Sequence, residues 1–284
     1  MRAAKSRSSA KVRFEPRFSG SGLEEHWVTL HKGDLEPYPN ASRVTQLAKR
    51  HAKFAKWLDA HGGAQAVAKG VQDAWRCFHT GDFAGAIALG NKLGALAATA
   101  GNKAAAIYSL EATGDEPIRL LDAAIARGEQ AVDVLPDDAN AHYMLALALG
   151  RYSQRISIVR AVADGIASRV RKHLDTTLEL APKHAEAHSA LGLYHAELVA
   201  KIGSLLAGVT YHASAEAALE ELQHALKLTP HSPIAQIEYA NGLLLLDADA
   251  NRKQAAELYA RAAACEAGDA MEQLDVERAQ RGPA

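Results

Sequence analysis

The chain has 284 residues, with 32 basic and 33 acidic side chains and a formal net charge of −1, so as a whole it is not steered toward nucleic acid or a membrane. Apolar residues make up 48% and aromatics 6%. Strand-length β-branched and aromatic runs are scarce, so the composition points to an all-α chain with core enough for one large domain or two small ones.

The charge is unevenly spread. From Met1 to Lys56 there are twelve basic residues against five acids, which leaves an acidic remainder: a basic arm precedes an acidic body. The opening MRAAKSRSSAKVRF lacks the apolar core of a secretory signal. Its Arg/Ser-rich, acid-poor character has two readings, a disordered basic tail in a cytoplasmic protein or an organelle transit peptide. No apolar run approaches the roughly 20 residues of a membrane-spanning helix. Cys77 and Cys265 lie far apart in helical contexts, which argues against a disulfide framework; each reads as a small buried hydrophobe or, alternatively, a reactive thiol.

In chain order, residues 1–40 contain Ser19-Gly20-Ser21-Gly22, Gly33-Asp34, Pro37 and Pro39 with little periodicity, and are expected to be a largely disordered tail and linker. Residues 41–63 predict a leading basic helix, with Val44, Leu47, Phe54 and Leu58 at helical spacing and Lys49, Arg50, Lys53 and Lys56 mostly opposite. Residues 64–284 read as helix after helix. Val71, Ala74, Trp75 and Phe78 mark one face, ended at Gly81-Asp82, and Phe83, Ala86, Ile87 and Leu93 mark the next. A helix follows from about Asn102 to Glu111, and another from about Pro117 to Val134 with Asp115 as its N-cap.

A pattern then recurs from Pro136 (PDDANAHYMLALAL), Pro182 (PKHAEAHSALGLY) and Pro230 (PHSPIAQIEYANGL). The central copy gives His188-x2-Leu191-Gly192-x2-His195, then Ala218-x3-Leu222-x2-Ala225, then Pro230. The copy before gives His142-x2-Leu145-Ala146-x2-Leu149 and Val170-x3-Leu174. The copy after gives Gln236-x2-Tyr239-Ala240-x2-Leu243 and Ala255-x3-Tyr259-x2-Ala262. This resembles the tetratricopeptide repeat, with His in place of the usual Trp. The resemblance covers about Ala64 to Cys265 and implies a right-handed α-solenoid of helical hairpins. A capping helix is expected at about 269–281.

The period is stretched. Pro136 to Pro182 and Pro182 to Pro230 exceed the usual ~34 residues, and the excess falls between the two helices of each unit. RYSQRISIVRAVADGIAS and AELVAKIGSLLAGVTYHAS read as extensions of both helices, about 9 Å each for six extra residues. With the Leu-rich connector Ser204-Leu205-Leu206, these elongated repeats are similar to bacterial relatives of the regulator-of-microtubule-dynamics family. Eukaryotic members are linked to microtubules and to membrane contact sites with lipid binding. No anchor is read in this chain, so neither role transfers by resemblance alone.

His184, His188 and His195 invite a zinc reading, but the glutamate of H-E-x-x-H adjoins the first histidine, whereas Glu186 is two residues from His184 and from His188. The alternative is helix packing. Gly94 to Lys103 fails the spacing of a phosphate loop, and no serine or cysteine has a nucleophile context. No catalytic residue, metal or cofactor is expected.

Two surfaces remain. The groove of the leading helices would be lined by Tyr143, Leu147, Ser189, Leu193, Ile237 and Asn241, without the Lys/Asn clamp of chaperone-binding relatives. It would take a protein or peptide partner, or an acyl chain, unless neighbouring helices cover it. Beside it, Arg151, Arg155, Arg160, Arg169, Arg171 and Lys172 are opposed in the stretch to Leu174 by Asp164 alone. Arg151 and Arg155 extend the candidate site toward an anionic headgroup or acidic partner; the other reading is a solvated helix face. The leading expectation is a non-enzymatic binding or scaffold protein. The alternative is a carrier or sensor of a hydrophobic anionic ligand such as a phospholipid.

Overall fold

The computed structural model describes residues 14–110 and 112–283. The first thirteen residues of the basic tail, and with them the transit-peptide reading, lie outside the described residues. Among these residues the fold is all-α, without strands. It divides into two compact units. Unit 1 holds residues up to Thr29 and Glu36–Leu180; unit 2 holds Leu30–Leu35 and Ala181–Ala284.

Unit 1 begins with a segment that shows no periodicity, yet is packed rather than free. Phe14, Phe18, Leu23 and Trp27 are buried around α1 (Gly22–Leu30). Trp27 meets Trp75 edge to face at 5.9 Å and Tyr38 at 5.1 Å, and its Nε1–H donates to the Glu36 carbonyl at 2.6 Å. One short helix between turns is too brief to display a period; its aromatic side chains hold it in place. The leading basic helix is two helices, α2 (Ala41–Arg50) and α3 (Ala52–Ala60), separated by His51 in extended conformation. Their basic face meets acids of the same unit. Arg43 pairs with Asp138 at 3.0 Å and His51 with Asp137 at 2.7 Å; Arg50 pairs with Asp137 and Lys53 with Asp133. Three of the arm's cations, Arg43, Arg50 and Lys53, are therefore answered within the unit, by pairs individually worth about 0–1 kcal/mol at the surface.

The helices α4 (Gly63–Thr80), α5 (Phe83–Leu93), α6 (Ala98–Tyr108) and α7 (Glu116–Val134) follow. Gly81, in left-handed conformation at φ 87°, ends α4. Helices α5 and α6 touch through glycine: a Cβ built on Gly90 would lie 2.9 Å from the Gly101 Cα. Unit 1 closes with α8 (Ala139–Ser153), α9 (Ile158–Ala163) and α10 (Ile166–Leu180).

In unit 2, α11 (Ala185–Ile202) is followed by α12 (Ser204–Tyr211), α13 (Ala215–Leu228), α14 (Pro233–Ala263, broken at Asp247) and α15 (Ala270–Arg281). The residues that lengthen the repeats do not simply extend both helices. They fold as the separate short helices α9 and α12, turned by Gly165 (φ 60°), Gly203 (φ 80°) and His212 (φ 51°). Hydropathy alone does not distinguish a continued helix from one interrupted by a left-handed residue. Leu222 of α13 fills the gap between α11 and α14. A Cβ on Gly192 would lie 2.5 Å from its Cγ, and one on Gly242 would collide with its Cδ1. Residues 30–35 cap the start of α11, where the Glu186 N–H donates to the Gly33 carbonyl at 3.1 Å, and His31 and Asp34 form a buried pair at 2.8 Å.

Each leading helix is entered in the same way. Two residues after the proline an N-cap side chain accepts a backbone N–H: Asp138 from Ala141, His184 from Ala187, Ser232 from Ala235. Six residues after the proline a side-chain N–H donates to the proline carbonyl: His142 to Pro136 at 2.9 Å, His188 to Pro182 at 3.0 Å, Gln236 to Pro230 at 3.1 Å. The remaining histidine nitrogens differ. His142 Nδ1 meets His173 Nδ1 at 2.9 Å, so a single proton lies between them. His188 Nδ1 meets the Glu221 carboxylate at 2.5 Å, so both of its nitrogens face acceptors, an arrangement that favours the protonated ring.

Gly192→Ala or Gly242→Ala forces Leu222 from its slot and is expected to cost about 1–3 kcal/mol in urea unfolding. The two histidine pairs respond oppositely to pH. Burial, then His142, Lys172 and Arg169, lower His173 from 6.5 to about 4, so protonation opposes the fold and stability declines as pH falls from 6.5 toward 4. For His188 burial lowers the pKa, but the Glu221 and Pro182 hydrogen bonds outweigh it and leave it raised above 6.5. That contribution is complete below 6.5 and is lost as pH rises through the raised value. His173→Gln should flatten the acid limb of the unfolding midpoint, and Glu221→Gln the alkaline limb. Finally, burial raises the Asp275 carboxyl of α15 well above its ordinary value; Arg278 opposes this, while Glu238, Asp269 and Glu272 add to it. Its stability contribution is complete below the ordinary carboxylate range and is lost as pH rises through the raised pKa. Asp275→Asn should therefore raise the melting temperature at alkaline pH and have least effect at acid pH.

Candidate interaction surface

The candidate groove residues fall in both units. In unit 1 Tyr143 is buried, Leu147 and Arg151 are half-buried and Arg155 is exposed, all but Arg155 on α8. In unit 2 Ser189 and Leu193 lie on α11 and Ile237 and Asn241 on α14. Ile237 is fully buried in the core that includes Leu222, Tyr239 and Leu243, and Leu193 packs against that core while keeping part of its surface. Asn241 is half-buried in a polar network: its Nδ2 donates to Glu238 at 2.9 Å and its Oδ1 accepts from the Tyr259 hydroxyl at 2.6 Å. Burial holds that Tyr259 hydroxyl above its ordinary pKa, with Arg278 opposing and Glu238 adding. The solvent-reaching members are thus Leu147, Arg151 and Arg155 in unit 1, and Leu193 and Asn241 in unit 2.

The arginine-rich stretch is more balanced than its own sequence indicates. Arg169 pairs with Glu129 at 2.5 Å, Arg171 with Asp175 at 2.7 Å and Arg160 with Asp164 at 3.5 Å. Glu129 stands forty positions upstream of Arg169, beyond any local reading. Arg155 donates to the Ser109 carbonyl at 2.9 Å and Arg151 to Gln154 Oε1 at 3.4 Å.

The histidines are engaged in the scaffold. His184 is fully buried and caps α11, His188 is held by Pro182 and Glu221, and His195 is buried. Among the described residues no group of three metal-ligating side chains is assembled. Cys265 is bonded to the Arg261 and His231 carbonyls at 3.4 Å, and burial leads the effects raising its thiol pKa.

Two features had no sequence signal. Arg127 of α7 is 7% exposed, with Nε donating to Asn102 at 2.9 Å and Nη1 to Asn91; burial lowers it to about 10. A polar recess of about 480 Å³ in unit 1 is lined by Glu24, Tyr38, Asn40, Gln65, Lys69 and Gln72. Both join residues distant in sequence, which periodicity does not connect. Among the described residues no helix is long and apolar enough to cross a membrane.

Comparison with known proteins matches this arrangement. A thermophilic tetratricopeptide-repeat protein of Thermus thermophilus is similar with a TM-score of 0.54 and 16% identity, over 76% of this chain and 100% of that one; the likeness establishes the fold. No curated protein compared with the chain matches it. The family model for regulator of microtubule dynamics protein 1-3 matches residues 96–280, from the turn before α6 to the last turn of α15, and the chain belongs to that family.

Proposed function

We propose that the protein is a non-enzymatic binding or scaffold protein in which the leading repeat helices, α8 in unit 1 and α11 and α14 in unit 2, each offer a surface to a protein or peptide partner. The observation that carries this reading is how the repeats use their side chains. The groups most suited to chemistry in the repeat pattern, His142, His184 and His188, are spent on helix entry and interhelix bonds. The same helices keep Leu147, Leu193 and Asn241 half-exposed. Within each unit, a packed helical hairpin with adaptable apolar or amide side chains on its leading helix suits recognition of an extended segment. The tetratricopeptide-like fold and the family membership support the coarser statement, a helical-repeat interaction protein. The choice of these helices, and of a peptide over an acyl chain, is the proposal.

Affinity capture from lysate with the intact chain, followed by titration of the recovered protein, tests it. Leu147→Lys and Leu193→Lys, checked for unchanged helicity, are each expected to weaken a saturable partner by about tenfold or more, the loss of one well-packed anchor. An identical set of captured proteins for the wild type and both folded variants would overturn the assignment of the surface.

A further inference from the structure

We propose that the inserted segment of unit 1, Arg151 to Arg169 around α9, is a docking surface for an anionic lipid bilayer. The inference does not depend on the groove reading.

The first observation concerns where apolar surface is left in water. Among the described residues ten large hydrophobic side chains are exposed, and five of them stand on the two short inserted helices. They are Val159 (76%) and Val162 (60%) on α9, and Leu205 (82%), Leu206 (53%) and Val209 (74%) on α12. An insertion that served only to lengthen a connection would be expected to carry polar residues outward. Here the insertions turn Val159 and Val162 in unit 1, and Leu205, Leu206 and Val209 in unit 2, to solvent.

The second observation is charge. From residue 150 to 175 six cations stand against two acids. Arg155 is exposed, and the Arg160 and Arg169 side chains are 61% and 39% exposed despite their pairs with Asp164 and Glu129. The insertion in unit 2 differs: from Ile202 to Ala215 it carries no acidic residue, lysine or arginine. Cations therefore flank exposed aliphatic side chains specifically at α9.

The third is how this tip is held. Tyr152 and Ile166, on either side of α9, are 4% and 2% exposed. The Ser157 hydroxyl accepts the Arg160 N–H at 3.3 Å to open the helix, and Gly165, at φ 60°, turns the chain into α10. The Arg160 guanidinium stands 5.8 Å over the Tyr152 ring. Val159 and Val162 are thus presented outward between two buried anchors.

These features select the occupant. Two copies meeting through this surface about a two-fold axis would bring like arginines together. An acidic protein would answer the arginines, yet would need a fitted pocket for each valine. A bilayer with anionic headgroups accepts aliphatic tips at the acyl boundary and supplies counter-charge at the same depth, with no shape to match. Two valines and a few arginines give weak, reversible attachment that fades with salt.

Co-sedimentation of the intact chain with phosphatidylcholine vesicles, with and without about one-third phosphatidylserine, tests the proposal. Binding should be at least about fivefold greater to the anionic vesicles at low salt and fall as salt is added. Val159→Asp with Val162→Asp, and separately Arg155→Glu with Arg160→Glu, should each reduce it to the neutral-vesicle level while circular dichroism stays unchanged. Wild-type protein with no preference for anionic vesicles overturns the proposal, as does full binding by both folded variants. Loss of binding only on Leu205→Asp with Leu206→Asp overturns the assignment to α9. If light scattering instead gives a dimer that the valine variant dissolves, without vesicle binding, the occupant is a second copy. Capture of one acidic protein that the arginine variant loses, again without vesicle binding, makes the occupant a protein.

Discussion

Each proline that begins a repeat leaves a carbonyl at the mouth of a leading helix, and the turn into that helix is tied through it. A hydrogen bond of this kind contributes about 0.5–1.5 kcal/mol net. The chain answers with one side-chain N–H, placed six residues on, in all three copies. The same span supplies the N-cap two residues after the proline, from Asp138, His184 or Ser232. Cap and donor together fix the turn before the helix begins, so each leading helix starts in a defined orientation. That orientation sets where the following helix can pack, and in unit 2 it brings Gly192 and Gly242 to opposite sides of Leu222.

This constraint also explains why histidine occupies the place where the repeat pattern usually carries tryptophan. A tryptophan fills volume and has one N–H; a histidine has two nitrogens and can make a second bond. His142 uses the second nitrogen on His173, and His188 uses it on Glu221. Gln236 makes the proline bond through an amide, without titration at that position. One structural task is thus performed in three electrostatic settings. A single role in the turn accordingly leaves the units with different responses to protonation, because the difference lies in the trailing helix that faces each ring.

The repeat was legible in the sequence because its elements are local. Proline, cap, donor and the small residues that admit a neighbour all fall within one or two helices. His184 shows the limit: its spacing to His188 resembles a ligand pair, but His184 Nδ1 accepts the Ala187 N–H. Spacing cannot reveal which backbone group a ring faces. The ion pairs of α2 and α3 with Asp133, Asp137 and Asp138 link residues eighty or more positions apart, so the basic arm could be counted in sequence but its partners could not. The packed segment around Trp27 was hidden for a different reason. Its order comes from a few aromatic contacts, and these leave no period. The candidate groove residues could be placed on a helix face by spacing, but their depth could not. Helical spacing grouped Leu193, Ile237 and Asn241, whereas only packing separates the core Ile237 from the solvent-reaching Leu193 and Asn241.

The stretched period joins these points. A helical repeat can absorb extra residues by lengthening both helices, which would extend the interhelix seam. Instead the chain interrupts the seam with left-handed residues and folds the excess into α9 and α12. That choice leaves the core of each hairpin unchanged, since Val170 with Leu174 and Ala218 with Leu222 are buried despite the insertions before them. The inserted residues contribute little to the core, and Ala207 is the buried member of α12. Val159, Val162, Leu205, Leu206 and Val209 therefore face solvent without strong constraint from packing. A scaffold that fixes the orientation of its hairpins through the proline turns can vary these outward tips independently, and this separation lets the insertion around α9 carry arginines while the one around α12 carries none.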